Sequence, residues 1–133
     1  MIRIFSVLIL LISNSFADIQ IRKQNELFCY DGDTCYVTFQ GKNDKVRMLD
    51  LDTPEISNPK CEKEYKLGIE ARDYINQLIS EGKRIEFETE YNRDFFDRIL
   101  SYIIVDGKNA SILMVTHGLG VVYDKNNKKD WCK

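Results

Sequence analysis

At Thr53-Pro54 the spacing of the apolar residues changes, and this break constrains the fold more than any composition figure. Before it the chain reads in short β-type runs. Asp18 to Tyr30 carries Ile19, Ile21, Leu27 and Phe28 among polar residues, Thr34 to Gln40 alternates β-formers, and Lys45 to Leu51 forms a third run. Asp31-Gly32-Asp33 and Gly41-Lys42-Asn43-Asp44 are turn compositions between them. Proline cannot donate to a ladder, so Pro54 stops the third strand. After a polar loop, Leu67, Ala71, Tyr74, Ile75, Leu78 and Ile79 recur at helical spacing, and Gly82 closes the helix. Arg84 to Thr89 and Ile99 to Val105 return to strand character. Asp106-Gly107 ends the fifth strand, and Ala110 to His117 reads as a short helix stopped by Gly118. The expected fold is α+β, mainly β. It is a five-stranded OB-fold-like barrel with one main helix after the third strand and a short helix after the fifth.

The first 17 residues stand apart. Arg3 precedes an apolar run from Ile4 to Ile12 that only Ser6 interrupts, and Ser15-Phe16-Ala17 places small residues where a signal peptidase reads. The run is short for a bilayer span. Residues 1–17 are therefore expected to be a signal peptide cut before Asp18, with an uncleaved anchor or a buried N-terminal segment as the alternative. Residues 18–133 would form a single domain, exported to the periplasm or the medium and monomeric, with no stable membrane contact after cleavage.

Charge then limits how such a domain holds a polyanion. Without Arg3 the chain has 18 basic and 21 acidic residues, a net charge of −3. Bulk attraction to nucleic acid is excluded; contact would need a local cluster of positive groups or a bound cation. Export also changes how the four cysteines read, since an even count in an oxidising compartment points to disulfides. Cys29 and Cys35 lie three residues either side of Gly32. If the chain reverses there they face each other at ~4.5–5.5 Å between Cα atoms, within bonding range. Cys61 and Cys132 then pair by elimination. The alternative is four reduced thiols, with Cys29 and Cys35 as small buried hydrophobes.

Chemistry concentrates in three segments. Asp31-Gly32-Asp33-Thr34 is an acidic turn. Arg47-Met48-Leu49-Asp50-Leu51-Asp52-Thr53-Pro54-Glu55 is an acid-rich strand end. Asn92 to Arg98 is a charged loop containing Arg93 and Arg98. Carboxylates at a turn and at a strand end can converge on a hard divalent cation. Arg47 lies five residues before Asp52, an odd spacing that puts the two on opposite faces of a straight strand, so the chain must bend for both to serve one site. Taken singly, each segment has a plainer reading as a turn, a cap or a surface ion pair.

Taken together, in this order and spacing, they resemble the thermonuclease (staphylococcal-nuclease-like) family. Its first signature is matched by Asp31-Gly32-Asp33-Thr34, Arg47 and Asp52-Thr53-Pro54-Glu55, and its second by Asp94 and Arg98. Gly118-Leu119-Gly120 is similar to the family's G-L-A, and the tail from Tyr123 to Cys132 is similar to that of short exported bacterial members. The resemblance implies a Ca²⁺-dependent endonuclease that hydrolyses DNA and RNA with little sequence preference and leaves 3′-phosphate ends. It implies that Asp33 and Asp52 bind Ca²⁺ through carboxylates and Thr53 through its carbonyl. Arg47 and Arg98 would hold the scissile phosphate, and Glu55 would activate water. Phe95, Phe96 and Asp97 depart from the family, which has a basic residue, a tyrosine and a glycine there. Phe96 keeps a surface on which a base can stack, and an aspartate is among the few residues that tolerate a positive φ. The competing reading is an inactive OB-fold module that binds nucleic acid without turnover. His117, the single histidine, and the run Lys125 to Lys129 are read as solvated surface.

Overall fold

The computed structural model describes residues 26–90 and 92–133. The signal-peptide reading, and the expected first strand before residue 26, lie outside them.

Six strands and two helices follow in the order β1 (Leu27–Cys29), β2 (Thr34–Phe39), β3 (Lys42–Met48), α1 (Glu62–Glu81), β4 (Ile85–Thr89), β5 (Ile99–Val105), β6 (Lys108–Asn109) and α2 (Ala110–Thr116). The sheet order is β1-β2-β3-β5-β4, with β6 paired to β5. All neighbours are antiparallel except β3 and β5, which run parallel with Arg47 opposite Leu100. This is the strand order of an OB-type sheet. Among the described residues β1 and β4 remain its two edges, so the expected barrel is seen here as an open sheet.

Two boundaries differ from the apolar pattern. β3 begins at Lys42, because the β2–β3 turn is only Gln40-Gly41. Both residues have positive φ (49° and 75°), as a two-residue hairpin turn requires. Lys42, Asn43 and Asp44 pair through their backbones with Phe39, Thr38 and Val37. Their side chains are polar, so apolar periodicity does not report them. β6 arises in the same way. Asp106 (φ 50°) and Gly107 (φ 79°) make a second tight turn that brings Lys108 back against Val105.

α1 starts five residues before its first apolar position. Cys61 caps it, its Sγ accepting from the Glu64 amide, while Glu64 Oε1 accepts from the Lys60 amide at 2.9 Å. Gly68, Ala71, Ile75 and Ile79 face inward from the helix. Ala71, Ile75 and Ile79 join Val46, Met48, Leu51, Ile103 and Met114 in one core. Asn76 secures the helix to the sheet edge: its Nδ2 donates to the Cys29 carbonyl at 2.7 Å and its Oδ1 accepts from the Cys29 amide at 2.9 Å.

Both expected disulfides are present, Cys29–Cys35 and Cys61–Cys132. Cys29 stands opposite Cys35 across β1–β2, and its backbone groups bond to Asn76. Strands approach each other most closely at such a non-hydrogen-bonded pair. Cys61–Cys132 spans 71 residues with Cα atoms 6.1 Å apart. A closure of that length stabilises the fold by about 4 kcal/mol if chain entropy is the main effect. No helix among the described residues is long and apolar enough to cross a membrane.

Candidate active site

A cleft of about 690 Å³ opens where the β1–β2 turn, the end of β3, the loop before β5 and the C-terminal tail meet. Asp33, Arg47, Asp52, Glu55 and Arg98 all line it, so the five side chains named from the sequence come together at one place. Thr53 sits behind them, 2% exposed.

Asp33 is the hub. Asp31 first shapes the turn that carries it, with Asp31 Oδ1 accepting from the amides of Asp33 (3.1 Å) and Thr34 (2.8 Å). Asp33 Oδ1 then accepts from Thr34 Oγ1 (3.0 Å), and its Oδ2 accepts from the Thr53 amide (3.0 Å). Arg47 reaches the same Oδ2 at 3.4 Å and donates its other terminal nitrogen to the Met48 carbonyl. Gly32 makes this packing possible: a Cβ there would lie 2.8 Å from the Thr53 side chain.

The bend required between Arg47 and Asp52 occurs after β3 ends at Met48, where Asp50 takes a φ of 55°. An antiparallel bridge then holds Asp52 to Val121, each amide donating to the other's carbonyl at 2.9 Å. Pro54 is fully buried, and Glu55 follows it back into the cleft mouth.

Arg98 is oriented by Asp94. Asp94 Oδ2 accepts from Arg98 Nε at 2.7 Å, and Asp94 Oδ1 accepts from the amides of Phe96 and Arg98. The contact engages Nε, the terminal nitrogens of Arg98 make no hydrogen bond among the described residues, and the side chain lines the cleft. Burial works to raise the Asp94 pKa, but the hydrogen bonds and charge of Arg98 outweigh it and keep the carboxyl below its ordinary value. Asp97 occupies the family's glycine position with a φ of 60°. Arg93 turns away from the cleft to pair with Asp44 at 2.7 Å. His117 caps α2 and meets the Tyr74 hydroxyl at 2.9 Å, remote from these acids.

The acids are crowded. Burial, and next the charge of Asp33, push the Asp31 pKa up to about 7. Burial and Asp33 also raise Asp52. Glu55 is raised by desolvation of its inner side and by Asp33 and Asp52. Such an oxygen-only cluster suits a hard cation. Two carboxylates with the Thr53 carbonyl would leave other positions for water, as Ca²⁺ accepts. Thr53 Oγ1, buried without a hydrogen-bond partner, adds an unsatisfied polar atom beside them. Among the described residues no three His, Cys, Asp or Glu side chains form a ready ligand set, so a cation here depends on backbone oxygen and water as well.

Sequence reasoning assigned no role in the cleft to several residues that line it, Asp31 having been named only as part of the acidic turn. Tyr30, Asp31, Tyr123 and Lys128 all line the cleft, and the Arg47 guanidinium lies 5.8 Å from the Tyr123 ring centroid. Tyr123 and Lys128 are placed by tertiary contacts that no local pattern signals.

The family model of staphylococcal nuclease homologues matches residues 45–132. The chain belongs to this family. The match begins after Asp31-Gly32-Asp33-Thr34, a turn that joins the site through the hydrogen bonds above. Over 103 residues the chain is 39% identical to Endonuclease YncB of Bacillus subtilis (strain 168), covering 74% of this chain and 48% of that protein. It is equally similar over 103 residues to SPbeta prophage-derived endonuclease YokF of the same organism, covering 34% of that protein. It is 34% identical over 74 residues to Thermonuclease of Staphylococcus hyicus, covering 55% of this chain and 43% of the other. The chain thus spans half or less of the length of these relatives.

Proposed function

We propose that this chain is an exported, Ca²⁺-dependent endonuclease that hydrolyses phosphodiester bonds of DNA and RNA with little sequence preference and leaves 3′-phosphate ends. The observation that carries the reading is the convergence of Asp33, Arg47, Asp52, Glu55 and Arg98 on one cleft. The names of the relatives, endonuclease and thermonuclease, agree with it. Two disulfides support an oxidising destination.

Asp33 and Asp52 through carboxylates, and Thr53 through its carbonyl, would hold the cation. Bound there, Ca²⁺ supplies positive charge against the phosphate and Lewis acidity. Glu55, at the cleft mouth with a raised pKa, takes a proton from the attacking water. Arg98 donates from its free terminal nitrogens to the non-bridging oxygens, and its strength of interaction grows as negative charge builds in the transition state. Arg47, held beside Asp33, presents a second planar donor. The new bond joins the water oxygen to phosphorus, and the phosphorus–5′-oxygen bond breaks. The 3′ side keeps the phosphate, and the departing 5′ oxygen is protonated from solvent.

Digestion of single- and double-stranded DNA and of RNA by the purified chain, with Ca²⁺ and with chelator, tests this directly. Cleavage with Ca²⁺ and none with chelator is expected. Full activity in chelator refutes the metal assignment, and binding without cleavage refutes the enzyme reading in favour of an OB-fold binding module.

A further inference from the structure

Among the described residues the cleft is lined by six carboxylates and three cations, Arg47, Arg98 and Lys128. Two of the cations are engaged, Arg47 with Asp33 at 3.4 Å and Arg98 with Asp94 at 2.7 Å. Lys128 differs. Among the described residues it makes no ion pair and no hydrogen bond, although its charge acts on both Asp52 and Glu55.

An exposed lysine on a loose tail would mean little. This tail is fastened at both ends. Val121 is bridged to Asp52 at one end, and Cys132 is bonded to Cys61 at the other. Trp131 is buried at 8% exposure, Lys63 Nζ donates to the Lys133 carbonyl at 2.7 Å, and the Asp124 carboxylate accepts from the Asn126 amide. The chain between the two anchors therefore runs along the cleft edge with Lys128 facing in. The Lys128 charge offsets those of Asp52 and Glu55 without contact to either. Lys128 instead keeps three free donors at the rim of a cleft large enough for more than a single phosphate group. A compact ammonium suits a neighbouring phosphate, while the planar guanidinium groups suit the scissile one.

We propose that Lys128 binds a backbone phosphate next to the scissile one, held in place by the Cys61–Cys132 bridge and the buried Trp131. This rests on the nuclease reading above. It supplies local positive charge where the chain as a whole is acidic.

The test is binding of a labelled single-stranded oligonucleotide in chelator across a salt series, beside steady-state cleavage with Ca²⁺. Lys128→Ala is expected to weaken binding about fivefold at low salt and to reduce the slope of log affinity against log salt by nearly one. KM should rise with kcat little changed. Lys128→Arg should restore most of the affinity, and Lys125→Ala, outside the cleft, should change neither quantity. The double variant Cys61→Ser/Cys132→Ser should lose the same affinity as Lys128→Ala. Where loss of the bridge unfolds the chain, the Lys128 substitutions, on an exposed side chain, still decide the matter. Wild-type affinity and salt slope in Lys128→Ala, with cleavage by the wild type intact, overturn this inference alone. Absence of both binding and cleavage in the wild type overturns the nuclease reading and this inference with it.

Discussion

The Asp33 carboxylate accepts a hydrogen bond from the backbone amide of Thr53 at 3.0 Å, across 20 residues of sequence. That bond fixes the acidic turn against the acid-rich strand end. It depends on Gly32, since any Cβ at that position would meet the Thr53 side chain at 2.8 Å. Gly32→Ala is therefore expected to weaken Ca²⁺ binding roughly tenfold and to destabilise the fold by about 1–3 kcal/mol, the usual cost of overpacking. Calorimetric Ca²⁺ titration and thermal melts check this; wild-type values in both would show that the turn relaxes without disturbing Thr53.

Glu55→Gln and Arg98→Ala are each expected to lower turnover by at least roughly a hundredfold. In the proposed mechanism one loses the general base and the other a donor to the transition state. Glu55→Gln is nearly isosteric and should leave the melting temperature close to wild type. Arg98→Ala should also release Asp94, whose carboxylate currently accepts from Arg98 Nε. Single-turnover cleavage assays measure the effect, and near-normal rates in both variants would remove these residues from the mechanism.

Asp97 sits beside Arg98 with its side chain 88% exposed. Its charge opposes an incoming phosphate. Asp97→Gly keeps the positive φ at no steric cost and deletes that charge. The hypothesis is that the variant binds oligonucleotide more tightly, with the gain largest at low salt, where exposed charges are least screened. Equal or weaker affinity in the titration would count against it.

The metal-free chain should lose stability as pH rises. Asp31 titrates at about 7 in the folded state, above the ordinary value of about 4. A carboxyl raised on folding binds its proton more tightly folded than unfolded. Its contribution is fully present below the unfolded pKa and is lost as pH rises through the folded one. Asp52 and Glu55, also raised, act in the same direction. In chelator, melting at about pH 5.5 is expected at a higher temperature than at about pH 8. Asp31→Asn keeps the acceptor for the Asp33 and Thr34 amides and should reduce this slope. Saturating Ca²⁺ should flatten it, because binding to the folded state offsets the crowding of the acids. A melting temperature that stays level or rises with pH in chelator would contradict the account.

Much of the fold was legible because its signals are local. The β2 and β5 runs, the helical spacing from Leu67 to Ile79 and the stop at Gly82 each depend on neighbours a few residues away. The two strand segments that escaped notice, Lys42–Asp44 and β6, are held by backbone pairing across tight turns, and their polar side chains carry no period. The candidate site residues could be named because their order and spacing resemble the thermonuclease family, and the need for a bend between Arg47 and Asp52 followed from strand geometry.

Tertiary structure decided what those residues do to one another. It set the raised pKa of Asp31, which arises from burial and a neighbouring charge, and it turned Arg93 away to Asp44 while Asp94 took hold of Arg98. Above all it decided the fate of the tail. By composition, Lys125 to Lys129 is a solvated end; only the Asp52–Val121 bridge and the Cys61–Cys132 bond, acting over 69 and 71 residues, bring Lys128 and Tyr123 to the cleft. Contacts between distant segments depend on how the whole chain closes, and no window of sequence contains that information.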